Sequence, residues 1–311
     1  MIKNGVYSLI KHNWSIFQKF YFIFLVCFIA VFVLGCKTVP VTRTVNPVEL
    51  LDDESAFYIA IPSSADSDLI QKIIKNYVPN LSDSNIKIIC DKIDTVYCGI
   101  SNKKNYMDFQ CVISGNIPLN MMPKILTKKN GWNSAQIMPQ NSANQYNLYS
   151  LSNENLSIEM SFPSANLAII GRNLPKSLER YDLLSKLPSD NIELNTIIDK
   201  NLADFLNGAK DEIRFCANKP QSFLTILTGA KLDLKLKEVS GSFVQDEKHQ
   251  NQYILNLKFN FLNEKYLKAG KTLLTLAFGL TNSQSIIVGT DELQINGIKL
   301  DKNQLIKLFL P

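Results

Sequence analysis

Few side chains of this chain have the chemistry of a catalytic site, and histidine is the scarcest of them. The chain of 311 residues contains 2 histidines. His12 precedes a long apolar run, which leaves His249 for a folded domain. A Ser-His-Asp or Cys-His site would need that residue, yet its polar surroundings are typical of a turn between two strands. We therefore expect no catalytic triad, and a zinc site built on several histidines is excluded.

Carboxylates are the next candidates for chemistry. The run Asp52–Glu54 and the pair Asp91 and Asp94 are candidate carboxylate sites, but neither has a sequence context that separates the pKa values of two carboxyl groups. The run is more typical of a solvated entry to a folded domain. Ser84 and Lys87 have a Ser-x-x-Lys spacing without its companion motifs. The sequence therefore predicts a protein that is not an enzyme, with a carboxylate-based envelope enzyme as one alternative.

One triplet matches the end of a phosphate-binding loop. Gly270-Lys271-Thr272 would need a glycine five residues before its own glycine, where Lys265 stands instead. The triplet also lies inside a helical pattern rather than after a strand. We expect no nucleotide and no other cofactor.

The strongest signal in the sequence lies at its start. Phe20 to Leu34 forms an apolar run without a charged residue, and Lys3, Lys11 and Lys19 precede it. As a helix this run spans about 22 Å, short of the roughly 30 Å hydrocarbon core of a bilayer. This pattern is typical of a secretory signal peptide, which we place at residues 1–35.

The apolar run ends in Val33-Leu34-Gly35-Cys36. This resembles the lipobox of bacterial lipoproteins, in which an aliphatic residue, a small residue and a cysteine stand in this order. Leu34 departs from the usual small or β-branched residue, and looser lipoboxes of this kind resemble those of spirochaetes. The resemblance implies cleavage between Gly35 and Cys36 and acylation of the Cys36 thiol by chains such as palmitate. An uncleaved signal anchor is the alternative.

Residues 36–49 contain two prolines and no apolar periodicity, so we expect an extended tether between lipid and domain. Acyl chains on Cys36 would hold the protein firmly on a membrane. Lys37 follows the anchor, so the aspartate that retains enteric lipoproteins at the inner membrane is missing. We expect a periplasmic or outer-membrane face of a bacterial envelope.

The charge of the folded part gives no reason to expect nucleic acid. The chain has 33 basic and 28 acidic residues, and three of the lysines lie in the predicted signal peptide, which has no acid. The remainder is close to neutral, whereas domains that bind nucleic acid carry a basic surface. We expect an envelope protein or a lipid as the partner.

The cysteines after Cys36 are Cys90, Cys98, Cys111 and Cys216. An even number in an exported protein is compatible with disulfides, but most of these residues lie on apolar faces, as small buried side chains do. A predicted hairpin brings Cys98 and Cys111 close, so either a disulfide or two buried thiols fit there. No two cysteines have the spacing of metal ligands, and we expect no metal site.

From Leu50 onward, apolar periodicity predicts alternating helices and strands. Phe57–Pro62 is a buried strand, and Asp66 or Ser67 can cap the helix that follows. Residues 95–100 and 107–113 alternate as the two strands of a hairpin.

Three further patterns come late in the chain. Leu232, Leu234 and Leu236 alternate with polar residues as in a strand. Asn296-Gly297 indicates a tight hairpin turn. Asp301 and Gln304 form a capping box for the last helix.

Together the elements predict an α+β fold in which antiparallel sheets pack against helices. The order of elements repeats loosely, so we divide the domain into two similar halves, residues 50–188 and 189–311, and interpret them as a diverged duplication. The chain resembles spirochaetal lipoproteins of unknown function with duplicated α+β domains. The lipobox, Gly115–Pro118, Gly131-Trp132 and the Tyr253 strand leading into the Leu267–Leu280 helix carry that resemblance. It implies fold and location only.

Two helical segments are unusually apolar for a surface. They are residues 266–280 and 305–310. Packing on the sheet of the second half accounts for such helices. A functional alternative is that they insert into a bilayer and perturb it. Our first hypothesis remains a lipid-anchored, non-catalytic binding or structural domain.

Overall fold

A computed structural model describes residues 43–78, 80–103, 106–152, 157–171, 174–188, 193–221, 223–224, 233–249, 251–277 and 285–306. Residues 44–311 form one compact unit. The predicted signal peptide, Gly35 and Cys36 lie outside the described residues, so cleavage and lipidation stay predictions.

The fold is α+β, as predicted, and its described strands form one antiparallel sheet of twelve strands. In chain order the strands are β1 (Phe57–Pro62), β2 (Ile93–Lys103), β3 (Tyr106–Gly115), β4 (Trp132–Ile137), β5 (Tyr146–Ser152), β6 (Ser157–Ser164), β7 (Leu167–Gly171), β8 (Ile213–Ala217), β9 (Leu236–Gln245), β10 (Gln252–Phe261), β11 (Ser285–Val288) and β12 (Glu292–Asp301). Across the sheet their order is β11-β12-β10-β9-β8-β1-β2-β3-β7-β6-β5-β4.

Strand β1 joins the two predicted halves. It pairs with β2 on one side, where Ile59 lies opposite Cys98, and with β8 on the other, where Ile59 lies opposite Phe215. The strands of each half are neighbours in the sheet, and the predicted boundary separates β1 from β8. The two halves therefore share a sheet, and their origin by duplication stays a prediction.

Seven helices are described, and they cover both faces of the sheet. They are α1 (Ser63–Tyr77), α2 (Asp83–Cys90), α3 (Met122–Ile125), α4 (Leu174–Ser185), α5 (Lys200–Asn207), α6 (Glu264–Ala277) and α7 (Lys302–Ile306). Helix α1 has non-helical backbone angles at Asp66. The Asp66 carboxylate accepts the Leu69 N–H at 2.8 Å, so this residue caps the main part of the helix, as the sequence predicted.

Alternate residues of β1 belong to two different hydrophobic cores, one on each face of the sheet. Ile59 and Ile61 belong to the core that residues of α1, α2 and α6 complete. Tyr58 and Ala60 belong to the core that residues of α4 and α5 complete. Because successive strand residues point to opposite faces, a strand covered on both faces has a continuous apolar sequence.

The tether was predicted at residues 36–49, but residues 44–49 belong to the folded domain. Val45 is 3% exposed and Val48 is fully buried, and both belong to the second core. Asn46 caps a 3₁₀ turn at Pro47–Leu50, and Glu49 completes a capping box with it. Capping and burial thus fold residues 44–49 into the domain, although their composition suggested an extended linker.

Two strand predictions in the last third of the chain differ from the structure. Strand β9 begins at Leu236, so residues 233–235 precede the strand, and Leu232 lies outside the described residues. Asn296-Gly297 is not a hairpin turn, because both residues lie within β12. The register shifts there between Leu255 and Leu257 of β10, and Gly297 adopts a φ of 87°. The two residues form a bulge, which needs the same left-handed backbone as a tight turn.

Within the described part of the chain, none of the helices is both long enough and apolar enough to span a membrane.

Candidate functional site: an apolar cavity on one face of the sheet

A cavity of about 170 Å³ lies within the core shared by α1, α2 and the sheet. Its walls are almost entirely hydrocarbon. Its lining residues include Ile70, Ile73 and Ile74 of α1, Val96, Cys98 and Ile100 of β2, Phe109, Cys111 and Ile113 of β3, Ile158, Met160 and Phe162 of β6, and Trp132 at the start of β4. An apolar cavity of roughly 150 Å³ can stay dry and bind a guest such as benzene.

The periodicity of the sequence explains which side chains reach this cavity. The α1 residues Ile70, Ile73 and Ile74 recur at helical spacing and therefore share one face of the helix. The lining residues of β2 and β3 lie at every second position, on the faces predicted for the hairpin. Local sequence therefore fixes the composition of each wall, whereas the contacts between elements distant in the chain create the space.

A disulfide forms part of the wall. Cys98 and Cys111 lie opposite each other in the β2–β3 ladder, with their Cα atoms 4.1 Å apart, and are joined. Of the two alternatives left open by the sequence, the structure has the disulfide. Cys90 and Cys216 are buried and free. Burial, reinforced by Asp91, raises the pKa of the Cys90 thiol to about 11, so this thiol is not a nucleophile at neutral pH.

Trp132 is the most unusual residue of the lining. Gly131 ends the preceding 3₁₀ turn with a φ of 86°, and this left-handed turn directs the chain into β4. The Trp132 side chain is 1% exposed, and its indole N–H has no hydrogen-bond partner among the described residues. Leaving a buried donor unpaired costs about 1–3 kcal/mol.

Lys92 is the single charged residue among the described residues that line the cavity. It is exposed, so it marks an end of the cavity that approaches solvent. Neither Lys92 nor Trp132 was predicted as a functional residue. The Gly131-Trp132 pair was visible in the sequence, but nothing local to it indicates a cavity.

The histidine and the Ser-x-x-Lys residues contact separate polar partners. His249 lies in the turn between β9 and β10 with 58% of its side chain exposed, 3.2 Å from Asp246. Hydrogen bonds from the Lys248 backbone and the His249 ring lower the pKa of Asp246. Lys87 forms an exposed ion pair with Asp91 at 3.5 Å, whereas the Ser84 hydroxyl lies 3.0 Å from that of Ser82.

The acidic run Asp52–Glu54 lies outside the apolar cavity. Asp52 and Glu54 line a separate polar cleft together with Asp108 and Gln110. The Gln110 side chain accepts the Asp52 N–H at 2.9 Å and donates to the Ser177 hydroxyl at 2.8 Å. Within the parts of the chain described above, no three His, Cys, Asp or Glu side chains are grouped to hold a metal ion.

The triplet Gly270-Lys271-Thr272 lies inside α6, as the helical pattern predicted. A Cβ at Gly270 would come within 2.3 Å of the Phe261 ring. Glycine here permits close packing of α6 on β10, which is a structural role unrelated to phosphate binding.

Helix α6 is apolar on both sides. Leu267 and Leu274 are buried against the sheet, at 3% and 0% exposure. Tyr266, Leu273 and Leu276 are 37%, 44% and 74% exposed. Packing on the sheet therefore accounts for only part of the apolar surface of this helix. Residues 278–280 and 307–310 of the two predicted apolar helices lie outside the described residues.

Comparison with known proteins identifies the family. The family model of the outer membrane-associated lipoprotein TP0453 matches residues 42–306. The chain belongs to this family, which is named after a spirochaete protein. The predicted resemblance to spirochaetal lipoproteins and the predicted location in the bacterial envelope are thereby confirmed, whereas acylation of Cys36 stays a prediction.

Solved structures of TP0453 have the same fold. Its crystal form I superposes with a TM-score of 0.63 at 18% identity, over 86% of this chain and 98% of that one. Crystal form III gives 0.61 at 19% identity, over 85% and 97%. Form IV gives 0.59 at 18% identity, over 86% and 98%. A search of the curated proteins finds no match to this chain.

Proposed function

We propose that this envelope lipoprotein is a non-catalytic binding protein that holds the hydrocarbon part of a lipid in the cavity beneath α1 and α2. The single observation that carries the proposal is the cavity itself, whose walls are apolar apart from Lys92 at one end. A protein interior is normally packed without voids of this size, because empty space forfeits dispersion contacts. A hydrocarbon guest restores those contacts, so binding it stabilises the fold.

The location of the family supports the choice of ligand. A protein associated with an outer membrane meets acyl chains at high local concentration. Catalysis on the bound lipid has no support from the described side chains, because the cavity wall presents neither a histidine nor a carboxylate. The proposal therefore concerns binding alone.

Trp132 provides a direct test. The chain has 2 tryptophans, and the other is Trp14, so a lipid-free chain starting at residue 43 reports on Trp132 alone. Such a chain retains the compact unit of residues 44–311. We expect a fatty acid carrying a nitroxide on its chain to quench this fluorescence saturably, below its micelle concentration. Quenching no stronger than that by a water-soluble nitroxide would refute the proposal.

A cavity-filling variant makes the test specific. Ala168 is 2% exposed and lines the cavity, so Ala168→Leu occupies the space meant for ligand and should weaken quenching. Ala135→Leu makes the same chemical change at an exposed position of β4 and should leave quenching as in the parent. Circular dichroism of both variants confirms that the fold persists.

The exposed apolar side of α6 favours a second function, insertion of this helix into a bilayer. Leu273 and Leu276 are neighbours on the helix surface, and Lys268 and Lys271 beside them are exposed as well. Apolar residues flanked by lysines are typical of helices that lie in the interface of a membrane.

Dye release from anionic phospholipid vesicles tests this second function. We expect the parent chain to release dye and Leu276→Asp to release little, because a charge at this position opposes burial in hydrocarbon. Thr272→Asp places the same charge at another exposed position of α6 and serves as the control. Equal release by parent and Leu276→Asp would rule out insertion through this face.

A further inference from the structure

The apolar cavity has one charged residue at its rim, and the described side chains leave that charge unpaired. Lys92 is the single charged residue among the described residues that line the cavity, and it is exposed. Its neighbour Asp91 pairs with Lys87 instead, at 3.5 Å. Within the described part of the chain, no carboxylate lies within ion-pair distance of the Lys92 Nζ atom. This ammonium group is therefore available to a ligand.

The backbone of Lys92 is fixed where α2, β2 and β3 meet. Its N–H donates to the Ile89 carbonyl at 3.0 Å, and its carbonyl accepts the Asn116 N–H at 2.8 Å. A Cβ at Gly115 would come within 2.0 Å of the Lys92 carbonyl oxygen, so glycine permits this close approach at the end of β3. The side chain thus starts from a fixed point at the rim, and its flexible four-carbon stem lets the ammonium follow a ligand there.

The size of the cavity limits the hydrocarbon part of the ligand. Its volume of about 170 Å³ is close to the roughly 150 Å³ of an apolar cavity that holds benzene. One short acyl chain fits such a space, whereas the two long chains of a membrane phospholipid do not. The cavity therefore takes a single chain, and the charge at the rim determines which head group that chain can carry.

We propose that the cavity binds single-chain amphiphiles with an anionic head group, and that Lys92 pairs with the carboxylate or phosphate of the head while the walls hold the chain. This inference rests on the proposed function and specifies its ligand class. Contacts with the walls supply affinity for the chain, and the ion pair supplies selectivity for charge. The head stays at the rim in contact with solvent, so binding avoids the cost of burying an anion in hydrocarbon.

Displacement of a fluorescent apolar dye from the lipid-free chain starting at residue 43 tests this selectivity. The dye is one that the cavity-filling variant Ala168→Leu no longer binds. The probes are octanoate, octylamine and 1-octanol, which have chains of equal length and heads that are anionic, cationic and neutral. In the parent we expect added salt to weaken the binding of octanoate relative to that of 1-octanol, because salt screens an exposed ion pair.

Charge reversal at the rim makes the test specific. We expect Lys92→Glu to lower the affinity for octanoate by roughly 5-fold and to raise that for octylamine by a similar factor, the size of an exposed ion pair. The affinity for 1-octanol should stay as in the parent. Lys186→Glu makes the same change at an exposed position directly after α4, on the other face of the sheet, and should leave all three affinities unchanged. Circular dichroism shows that both variants retain the fold.

The outcomes separate the two proposals. If none of the probes displaces the dye, the cavity does not bind hydrocarbon, and both proposals fail together. If all three displace it and neither salt nor Lys92→Glu changes their relative affinities, binding of the chain stands and the role of Lys92 is refuted. Octyl phosphate distinguishes the two sources of an anionic head. A Lys92-dependent preference for octyl phosphate over octanoate assigns the phosphate of a single-chain lipid, and the opposite preference assigns a fatty acid.

Discussion

The Nζ atom of Lys302 in α7 lies 2.6 Å from Oδ2 of Asp66 in α1, so the last described helix is held to the first. Both side chains are nearly inaccessible, at 6% and 3% exposure. Asp68 lies 2.8 Å from the same ammonium, and the Tyr253 hydroxyl donates to Asp66. The carboxylate that caps α1 thus also receives a buried cation from the far end of the chain.

Replacing Lys302 should destabilise the protein strongly. Lys302→Met removes the cation and leaves Asp66 buried beside a tyrosine, and breaking a buried ion pair in this way costs about 3–5 kcal/mol. Chemical denaturation measures the loss. Lys299→Met, at an exposed position two residues before the end of β12, should change the free energy of unfolding by less than about 0.5 kcal/mol. Equal losses in the two variants would show that the buried pair contributes nothing specific.

The ion pairs of Lys302 with Asp66 and Asp68 should stabilise the fold only over a limited pH range. The hydrogen bond from Lys302 is the main cause that lowers the pKa of Asp68 below 3.8. Burial alone would lower the pKa of Lys302, but hydrogen bonds to Asp66 and Asp68 outweigh it and raise that pKa above 10.5. The aspartate contribution is lost as pH falls through its lowered pKa, and the lysine contribution as pH rises through its raised pKa.

Melting temperatures as a function of pH test this window. The difference between the parent and Lys302→Met should shrink as pH rises above about 10, where the lysine contribution is lost, and again in acid, where the carboxyl groups take up protons. Comparing the two chains cancels the titration of groups outside the cluster. A difference that does not shrink in alkaline solution would contradict the assignment.

The cavity disulfide should stabilise the fold by closing a short loop. Cys98 and Cys111 are 13 residues apart, and a loop of this size corresponds to about 3 kcal/mol in the chain-entropy model. We expect the double variant Cys98→Ala/Cys111→Ala to unfold at lower denaturant and to ignore added reductant, whereas the parent responds to it. Alkylation of the unreduced, denatured chain from residue 43 should label Cys90 and Cys216 but not this pair.

Glu49 should stabilise the folded conformation of residues 44–49, where the domain begins. Its buried carboxylate accepts the Asn46 N–H at 3.0 Å and the Asn195 N–H at 2.6 Å. Glu49→Ala removes both acceptors, and each donor left unpaired costs about 1–3 kcal/mol. Glu54→Ala removes an exposed carboxylate of the same region and should be nearly neutral in a denaturation experiment. A neutral Glu49→Ala would mean that residues 44–49 behave as a tether after all.

Local features of this fold could be predicted because their causes are local. The cavity-facing alternation of β2 and β3, the cap at Asp66 and the capping box at Asp301 each depend on residues within a few positions. The Asn296-Gly297 bulge shows the limit of such evidence. The left-handed backbone of Gly297 suits a bulge as well as a turn, and the pairing of β12 with β10 identifies the bulge.

Long-range features could not be predicted. Nothing near Lys302 in the sequence indicates Asp66 as its partner, and nothing near Trp132 indicates that its indole lies in a cavity closed by α1. The buried Glu49 was likewise hidden, because its acceptor role depends on Asn195. The candidate site is made of contacts between distant segments, so a single sequence predicts the character of its walls but not its existence.

The position of β1 between β2 and β8 governs the order in which this sheet can be completed during synthesis. The ribosome produces β2 soon after β1, so that first pairing closes a short loop. The other edge of β1 must wait until residues 213–217 have been made. Pairing across so long a stretch of chain is slow, and until then this apolar strand keeps an open edge that can recruit other chains. If the chain crosses a membrane before β8 is available, β1 arrives with one edge unpaired. The chain then depends on proteins there that protect exposed strand edges.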